Sequence, residues 1–333
     1  MLLTLLLAGS TGALLGVCGP FTDVAADAFC PFVLEIFYLG ITTGTTATTY
    51  DPSSNVGRLQ MAAFLSRAVD GVLKRGSHRA VLDRFWMPQN STVLGITTLG
   101  AAATEHLRFD GADVWVGGFN SNTVSRVRGS DGRLLETWTG AGNAAGIRVA
   151  MGRVVIVGQQ SPGKLYSIDP TQVAGVVTTV VSTLPAFPIG LAFDGGRFWT
   201  ANNGSASVSI VTPGTSIPWT VTTVTTGFSA PIAALFDGTS IWVTDGPNLL
   251  LKLDSAGAIL QTVTVSVTPQ YPVYDGSNLW VPASGSGTVS VVRASSGAVL
   301  LTLTGNGLSS PIEAAFDGER VLVTNPFANA VSL

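Results

Sequence analysis

Hydrophobic and polar residues follow two different patterns in two parts of this chain. Between Phe21 and Asp70 apolar positions recur every three to four residues, which predicts helices over about Ala25–Leu39 and Arg58–Leu73. Beyond residue 91, short runs rich in Val, Thr, Ile and Trp are separated by Gly, Asp and Pro, a pattern typical of β-strands and tight turns. The pattern predicts a small helical part followed by a longer β part.

The β part repeats itself every 38 to 43 residues or so. Each repeat is marked by an Asp-Gly pair, which Met151-Gly152 replaces in the second copy. The five anchor aspartates are Asp110, Asp194, Asp237, Asp275 and Asp317. Four residues after each Gly comes a large apolar residue: Trp115, Ile156, Trp199, Trp242, Trp280 or Leu322. We interpret the aspartates as turn-capping residues between two strands and the apolar column as core.

Each repeat has room for four short strands, which is the size and pattern of a propeller blade. The last copy stops at Leu333, in its third strand, and the segment 91–99 matches the missing fourth strand in length and composition. The expectation is a mainly β protein, a six-bladed β-propeller of four-stranded blades over residues 91–333 that strand 91–99 closes. A seven-bladed propeller that has lost its end is the alternative.

The repeats carry a family resemblance over about 240 residues, and one copy illustrates it. The stretch from Asp237 to Asp245 reads D-G-T-S-I-W-V-T-D and resembles the YVTN, or NHL-like, bacterial propeller repeats. The resemblance implies the fold. It does not imply an activity, because propellers serve as binders, scaffolds and enzymes.

The start of the chain is apolar and contains the two cysteines, Cys18 and Cys30. Residues 1–19 are either an export leader, a buried helix or an incorrectly assigned start. In an exported protein the cysteines would form a short disulfide loop, and otherwise they are two buried thiols.

Residues 20–75 carry a second resemblance. Phe21-Thr22-Asp23-Val24, a helix ending in G-I-T-T-G, then Tyr50-Asp51-Pro52 and a V-G-R-L-Q box at 56–60 occur in the order of the S-layer homology module. Members of that family anchor exported proteins to anionic cell-wall polysaccharide. The resemblance assigns polymer binding to Arg58, whose guanidinium suits carboxylate oxygens; a local role at the helix start is the alternative. A basic linker, residues 76–90, follows this helical module, and we interpret its charges as solvated.

Composition narrows the class of protein further. Charged residues make up 11% of the chain and the net charge is -3, so no basic face is available for nucleic acid. With 46% hydrophobic residues the chain should collapse and fold. Beyond residue 22 no apolar run approaches the length of a spanning helix, so no transmembrane segment is expected beyond the leader. Lysine occurs three times, which fits an extracellular protein.

Candidate chemistry is sparse. The chain has two histidines, of which His106 alone lies in the repeats, so no histidine metal site, cofactor or catalytic set is predicted. Glu105 and Glu313 lie in first strands, which line the channel of a propeller, and with His106 they are the channel-lining candidates. His106 is more simply a satisfied strand residue.

These observations favour a non-enzymatic bacterial cell-surface or secreted binding protein. Its helical module would associate with cell-wall polymer, and its propeller would present a face to a protein or small-molecule ligand. The alternative is an extracellular propeller enzyme, a lyase or hydrolase on a sugar or peptide.

Overall fold

Short strands joined by Gly-containing turns dominate the part of the chain that the computed structural model describes, residues 18–24, 27–38, 41–76, 98–99, 104–129 and 132–333. The chain divides into two compact units, residues 1–84 and 85–333. The second unit contains six antiparallel sheets in its described residues, which confirms the mainly β, six-bladed propeller.

The strands follow one another in chain order within each sheet. Blade 1 contains β1 Thr104–Phe109, β2 Asp113–Gly118, β3 Thr123–Arg128 and β4 Leu134–Thr139. Blade 2 contains β5 Ala144–Ala150, β6 Arg153–Gly158, β7 Gly163–Ile168 and β8 Thr178–Leu184. Blade 3 contains β9 Pro188–Phe193, β10 Phe198–Asn202, β11 Ser207–Thr212 and β12 Thr220–Val224. Blade 4 contains β13 Pro231–Phe236, β14 Ile241–Asp245, β15 Leu249–Leu253 and β16 Ile259–Thr264. Blade 5 contains β17 Val273–Tyr274, β18 Asn278–Ala283, β19 Thr288–Arg293 and β20 Val299–Leu303. Blade 6 contains β21 Ala314–Phe316, β22 Val321–Asn325 and β23 Ala330–Ser332.

Blade 6 therefore has three strands within the described residues, and the other blades have four. The predicted closing strand falls almost wholly on residues 91–97, outside the described residues. Its pairing with the end of the chain stays a prediction.

Four Asp–Trp pairs fasten the turn between the first and second strands of blades 1, 3, 4 and 5. In each, one carboxylate oxygen accepts hydrogen bonds from backbone N–H groups two and three residues later, and the other accepts the indole Nε1–H. The Nε1–Oδ2 distances are 2.7 Å for Trp115–Asp110, 2.8 Å for Trp199–Asp194, 2.7 Å for Trp242–Asp237 and 2.7 Å for Trp280–Asp275. We call these pairs the Asp–Trp clamps.

Blades 2 and 6 replace the clamp. In blade 2, Met151 and Gly152 both have positive φ, 55° and 68°, so the strands are joined by a two-residue turn of the hairpin type. In blade 6, Leu322 occupies the position of the indole, and Asp317 pairs with Arg320 at 3.2 Å.

The first unit is organised around Phe21, which is fully buried and packs against Phe37 and Tyr50 at ring-centroid distances of 5.1 and 5.7 Å. Its described helices are α1 Cys30–Tyr38 and α2 Arg58–Gly76. A disulfide joins Cys18 to Cys30, with the Cα atoms 5.6 Å apart. The described residues of this unit contain these two helices and the loops around them, and they do not establish a distinct all-helical module of the S-layer homology type.

Two side chains of this unit fix the backbone locally by accepting hydrogen bonds from backbone N–H groups. The carboxylate of Asp23 accepts the backbone N–H groups of Tyr50 and Asp51 and so fixes the loop between the two helices. At the start of α2, the Gln60 side chain accepts the Gly57 N–H at 2.8 Å, as in a capping box. No helix within the described residues is long and apolar enough to cross a membrane.

Candidate functional site

The first strands of the blades meet around the propeller axis, and small residues let them approach closely. Gly146 in β5 and Gly190 in β9 show why: a Cβ on Gly190 would lie 2.7 Å from the Cα of Ala233 in β13. Residues from blades 1 to 5 enclose one axial cavity, and the small ones among them come from blades 2 to 4. It is lined by His106, Arg108, Gly146, Ile147, Arg148, Gly190, Leu191, Ala233, Ala234, Tyr271 and Pro272.

Three charged side chains converge at this axial cavity. Arg108 Nη1 lies 3.1 Å from Glu313 Oε1, an ion pair that joins blade 1 to blade 6. Arg148 of blade 2 is close enough to both groups to interact electrostatically with them. The three together carry one uncompensated positive charge.

The two guanidinium groups differ in how their donors are used. Arg108 Nη1 donates to Glu313 and also to the Leu107 carbonyl at 2.9 Å, but its buried Nε has no hydrogen-bond partner. Arg148 makes no side-chain hydrogen bond or ion pair with any residue that the structure describes. Burial and the nearby Arg108 lower the pKa of Arg148 to about 9, while Glu313 acts in the opposite direction. The cavity therefore contains donors in excess of acceptors.

His106 lies beside this cluster in β1. It is buried, and its ring meets that of Tyr271 edge to face with 4.8 Å between the centroids. Burial lowers the pKa of His106, opposed by Glu313 and reinforced by Arg108 and Arg148. The imidazole is therefore neutral near neutral pH, so it adds no charge to the cavity.

The free space is small. The centre of a water molecule can occupy about 20 Å³ of the cavity, which is room for one or two waters. A whole sugar or peptide does not fit inside, so a large ligand would insert a single polar group from the channel mouth.

The sequence-predicted residues fall into distinct places. His106 and Glu313 do lie together at the axis, whereas the side chain of Glu105 is outside the described part. Arg58 belongs to the other unit, where it is exposed at the first position of α2. The predicted structural aspartates and tryptophans form the clamps in four blades, and Asp317 forms the ion pair of the sixth.

Sequence reasoning missed Arg108, Arg148 and Tyr271. A signal for the arginines was present, because they fall in first strands. Other first strands, such as P-I-G-L-A-F in β9 and P-I-A-A-L-F in β13, contain no charged residue. A cation in an inner strand of a charge-poor propeller is therefore a usable indicator of an axial site.

Metal chemistry finds no support in the described residues. No group of three or more His, Cys, Asp or Glu side chains there is arranged to hold a metal ion. At the axis the excess of guanidinium donors over carboxylates also disfavours a cation.

Six sheets whose first strands surround an axial cavity define the second unit as a β-propeller. No family model and no curated protein sequence matches the chain. Solved propeller-fold structures do. A catalytically inactive virginiamycin B lyase from Staphylococcus aureus with quinupristin has a TM-score of 0.59 and 16% identity over 71% of this chain and 82% of that one.

Two further solved structures are similar at the same level. A streptogramin B lyase has a TM-score of 0.59 and 14% identity over 71% of this chain and 80% of its own. Hydrazine synthase of Kuenenia stuttgartiensis has a TM-score of 0.57 and 15% identity over 69% and 76%. At these identities the likeness concerns the fold alone.

Proposed function

We propose that this chain is a non-enzymatic bacterial cell-surface or secreted binding protein. Its propeller, of the YVTN or NHL-like type, presents a ligand-binding face at the axial channel. Its N-terminal unit, a variant of the S-layer homology module, associates with anionic cell-wall polymer. The Cys18–Cys30 disulfide fits an oxidising location outside the cytoplasm.

The observation that carries the binding role is the convergence of Arg108, Arg148 and Glu313 at the axial cavity. Elsewhere the inner strands are apolar or contain small residues. In a chain with 11% charged residues, a concentration of charge at the place where five blades meet is costly unless it has a partner. A binding function supplies that partner.

A glycan and small-molecule array tests this role. The full-length protein is applied to the array with and without divalent metal. We expect at least one class of immobilised ligand to retain the protein in both conditions. A variant with Arg148→Gln should lose that retention, and Arg153→Gln, an exposed arginine of the same blade, should not. No retention of any class would contradict the binding function.

For the N-terminal unit, support comes from the residues that resemble the module. Phe21 forms the small core, and Asp23 fixes the Tyr50-Asp51 turn. The helix start is capped by Gln60, so Arg58 is not needed for that task. Arg58 is exposed and makes no hydrogen bond or ion pair with the residues described, so its guanidinium is available to polymer.

The test is sedimentation with purified cell walls. We expect Arg58→Ala to lower the bound fraction without changing helix content, and Arg58→Lys, which keeps the charge but not the forked donors, to lower it less. Arg153→Ala in the propeller removes the same charge elsewhere and controls for net charge. Equal sedimentation of Arg58→Ala and the parent would contradict the proposal.

A lyase or hydrolase is the second candidate function. The observation that favours it is the neutral, buried His106 close to Glu313 at the axis, since a neutral imidazole can act as a general base. Mass spectrometry of each array ligand after incubation separates the two functions: a binder returns its ligand unchanged, and an enzyme converts it. Conversion that His106→Gln abolishes would favour the enzyme.

A further inference from the structure

The axial cavity has donors that no described residue satisfies. Arg108 Nε is buried and unpartnered, and the whole guanidinium of Arg148 lacks an acceptor in the described part of the propeller. A buried donor without an acceptor, such as Arg108 Nε, raises the free energy of a folded protein. The guanidinium of Arg148 is half-buried, and its donors are met only by solvent or by a ligand that enters the cavity.

The charge and the number of these donor groups define the kind of ligand that would pair with them. Glu313 neutralises one guanidinium through its ion pair with Arg108, so one positive charge is left at Arg148. A neutral His106 contributes no further charge. The complement is one negative charge with two or more acceptor oxygens, because guanidinium groups pair best with planar, two-oxygen anions.

Size limits the ligand further. Space for one or two waters accommodates a single carboxylate but not a sulfate or phosphate ester together with its carbon skeleton. Gly146 and Gly190 allow neighbouring first strands to pack closely around the cavity and so keep it small, since a Cβ at either position would collide with backbone atoms of the neighbouring first strand.

We propose that Arg148, together with the Nε of Arg108, binds the carboxylate group of an acidic ligand at the axial cavity. The ligand class is a molecule with a single carboxylate, such as an acidic sugar, an α-hydroxy acid or a peptide C-terminus. Its remaining atoms lie towards the channel mouth. Glu313 holds Arg108 in position and repels a second carboxylate, which selects monoanionic groups. This inference rests on the proposed binding function and names its ligand class.

Saturation-transfer NMR with acetate as the probe, and acetamide as its neutral isostere, tests the inference on the full-length protein. We expect saturable acetate binding and no acetamide binding. Arg148→Gln should weaken acetate binding by about 10- to 100-fold, the effect of losing a hydrogen-bonded charge. Arg153→Gln, which removes the same charge from the surface of blade 2, should bind acetate as the parent does.

Two results would overturn the carboxylate assignment: equal binding of acetate and acetamide, or acetate binding unaffected by Arg148→Gln. If Arg148→Gln fails to fold, bromide soaked into crystals of the parent replaces that arm. An anomalous peak within hydrogen-bonding reach of Arg148 supports the assignment, and peaks confined to other places contradict it.

These outcomes are separable from those of the array. Retention of a neutral array ligand that Arg148→Gln abolishes would contradict the carboxylate assignment and leave the binding function at the axial cavity intact. Acetate binding that Arg148→Gln weakens, combined with an array on which no ligand retains the protein, would support the carboxylate assignment and contradict the proposed binding function.

Discussion

The Asp–Trp clamp of blade 4 offers the sharpest test of how the propeller is held together. Trp242 is fully buried, and its Nε1–H donates to Asp237 Oδ2 at 2.7 Å. Substitution Trp242→Phe keeps an aromatic ring but removes the donor, so the carboxylate loses one of its hydrogen bonds inside the protein. Removing a hydrogen bond to a charged group costs about 1.5–3 kcal/mol.

The smaller ring also leaves a cavity. A few tens of Å³ of unfilled core cost about 1 kcal/mol. The two effects add to about 2.5–4 kcal/mol of lost unfolding free energy. For a unit the size of residues 85–333, a loss near 3 kcal/mol lowers Tm by about 6–12 °C.

Trp138 provides a matched control. Its indole is also buried, 5% exposed, but its Nε1–H has no hydrogen-bond partner in the described structure. Trp138→Phe therefore produces the cavity without losing a hydrogen bond. It also removes a buried donor that has no partner in the described structure, which offsets part of the cavity cost, so we expect a loss of at most about 1 kcal/mol. Scanning calorimetry, with far-ultraviolet circular dichroism following the sheet signal, measures both variants.

A double-mutant cycle completes the assay. Asp237→Asn places an amide donor against either the indole or the backbone N–H groups of the turn, and it should cost less in the Trp242→Phe background than in the parent. The reasoning is refuted if Trp242→Phe and Trp138→Phe destabilise equally, or if the cycle gives no coupling between Asp237 and Trp242.

Three further predictions concern pH, packing and closure. Burial alone would raise the pKa of the four clamp aspartates, but their hydrogen bonds outweigh it and hold the pKa below the ordinary 3.8. Their stabilisation is therefore complete above that value and is lost as the pH falls through the lower folded-state values. Tm should drop as the pH falls below the ordinary value, and less steeply for Trp242→Phe; parallel pH profiles would contradict this. Gly190→Ala should lower the unfolding free energy by about 1–3 kcal/mol through overpacking, and Tm with it, because the new Cβ meets backbone at 2.7 Å. Gly175→Ala, whose Cβ has its nearest atom at 3.9 Å, should leave Tm unchanged. Equal melting of the two variants would refute the close approach of the first strands. Deletion of residues 1–90 should leave a cooperatively folding propeller and deletion of 1–100 should cause aggregation or a large loss in Tm, because a strand at 91–99 would cover the edge of β23; identical behaviour of the two truncations would rule out that closure.

Local signals in the sequence predicted the elements well. The Asp-Gly turns require a positive φ that Gly adopts without strain, and Gly111, Gly195, Gly238, Gly276 and Gly318 all have φ between 97° and 105°. Strands such as Thr288–Arg293 coincide with runs rich in Val, Thr, Ile and Trp, because β-branched residues favour a strand through a few neighbouring positions. Assignments to families went further than the structure and the comparisons reach, and they remain proposals.

The predicted site was less complete. His106 and Glu313 were selected because first strands line the axis, yet the arginines that set the charge of the cavity were overlooked. Arg108 and Arg148 are separated by forty positions, and Glu313 follows Arg108 by 205. Nothing in their local sequence indicates that the three meet.

The sequence by itself determined the repeat and the turn chemistry and favoured six blades over seven, since these follow from periodicity and from residues near one another in the chain. Only the tertiary structure decided which side chains share the axis, and that the repeated Asp and Trp bond to each other across the turn. The reason is geometric: blade closure brings together residues from six distant segments, and their distances, burial and charge balance exist only after that closure.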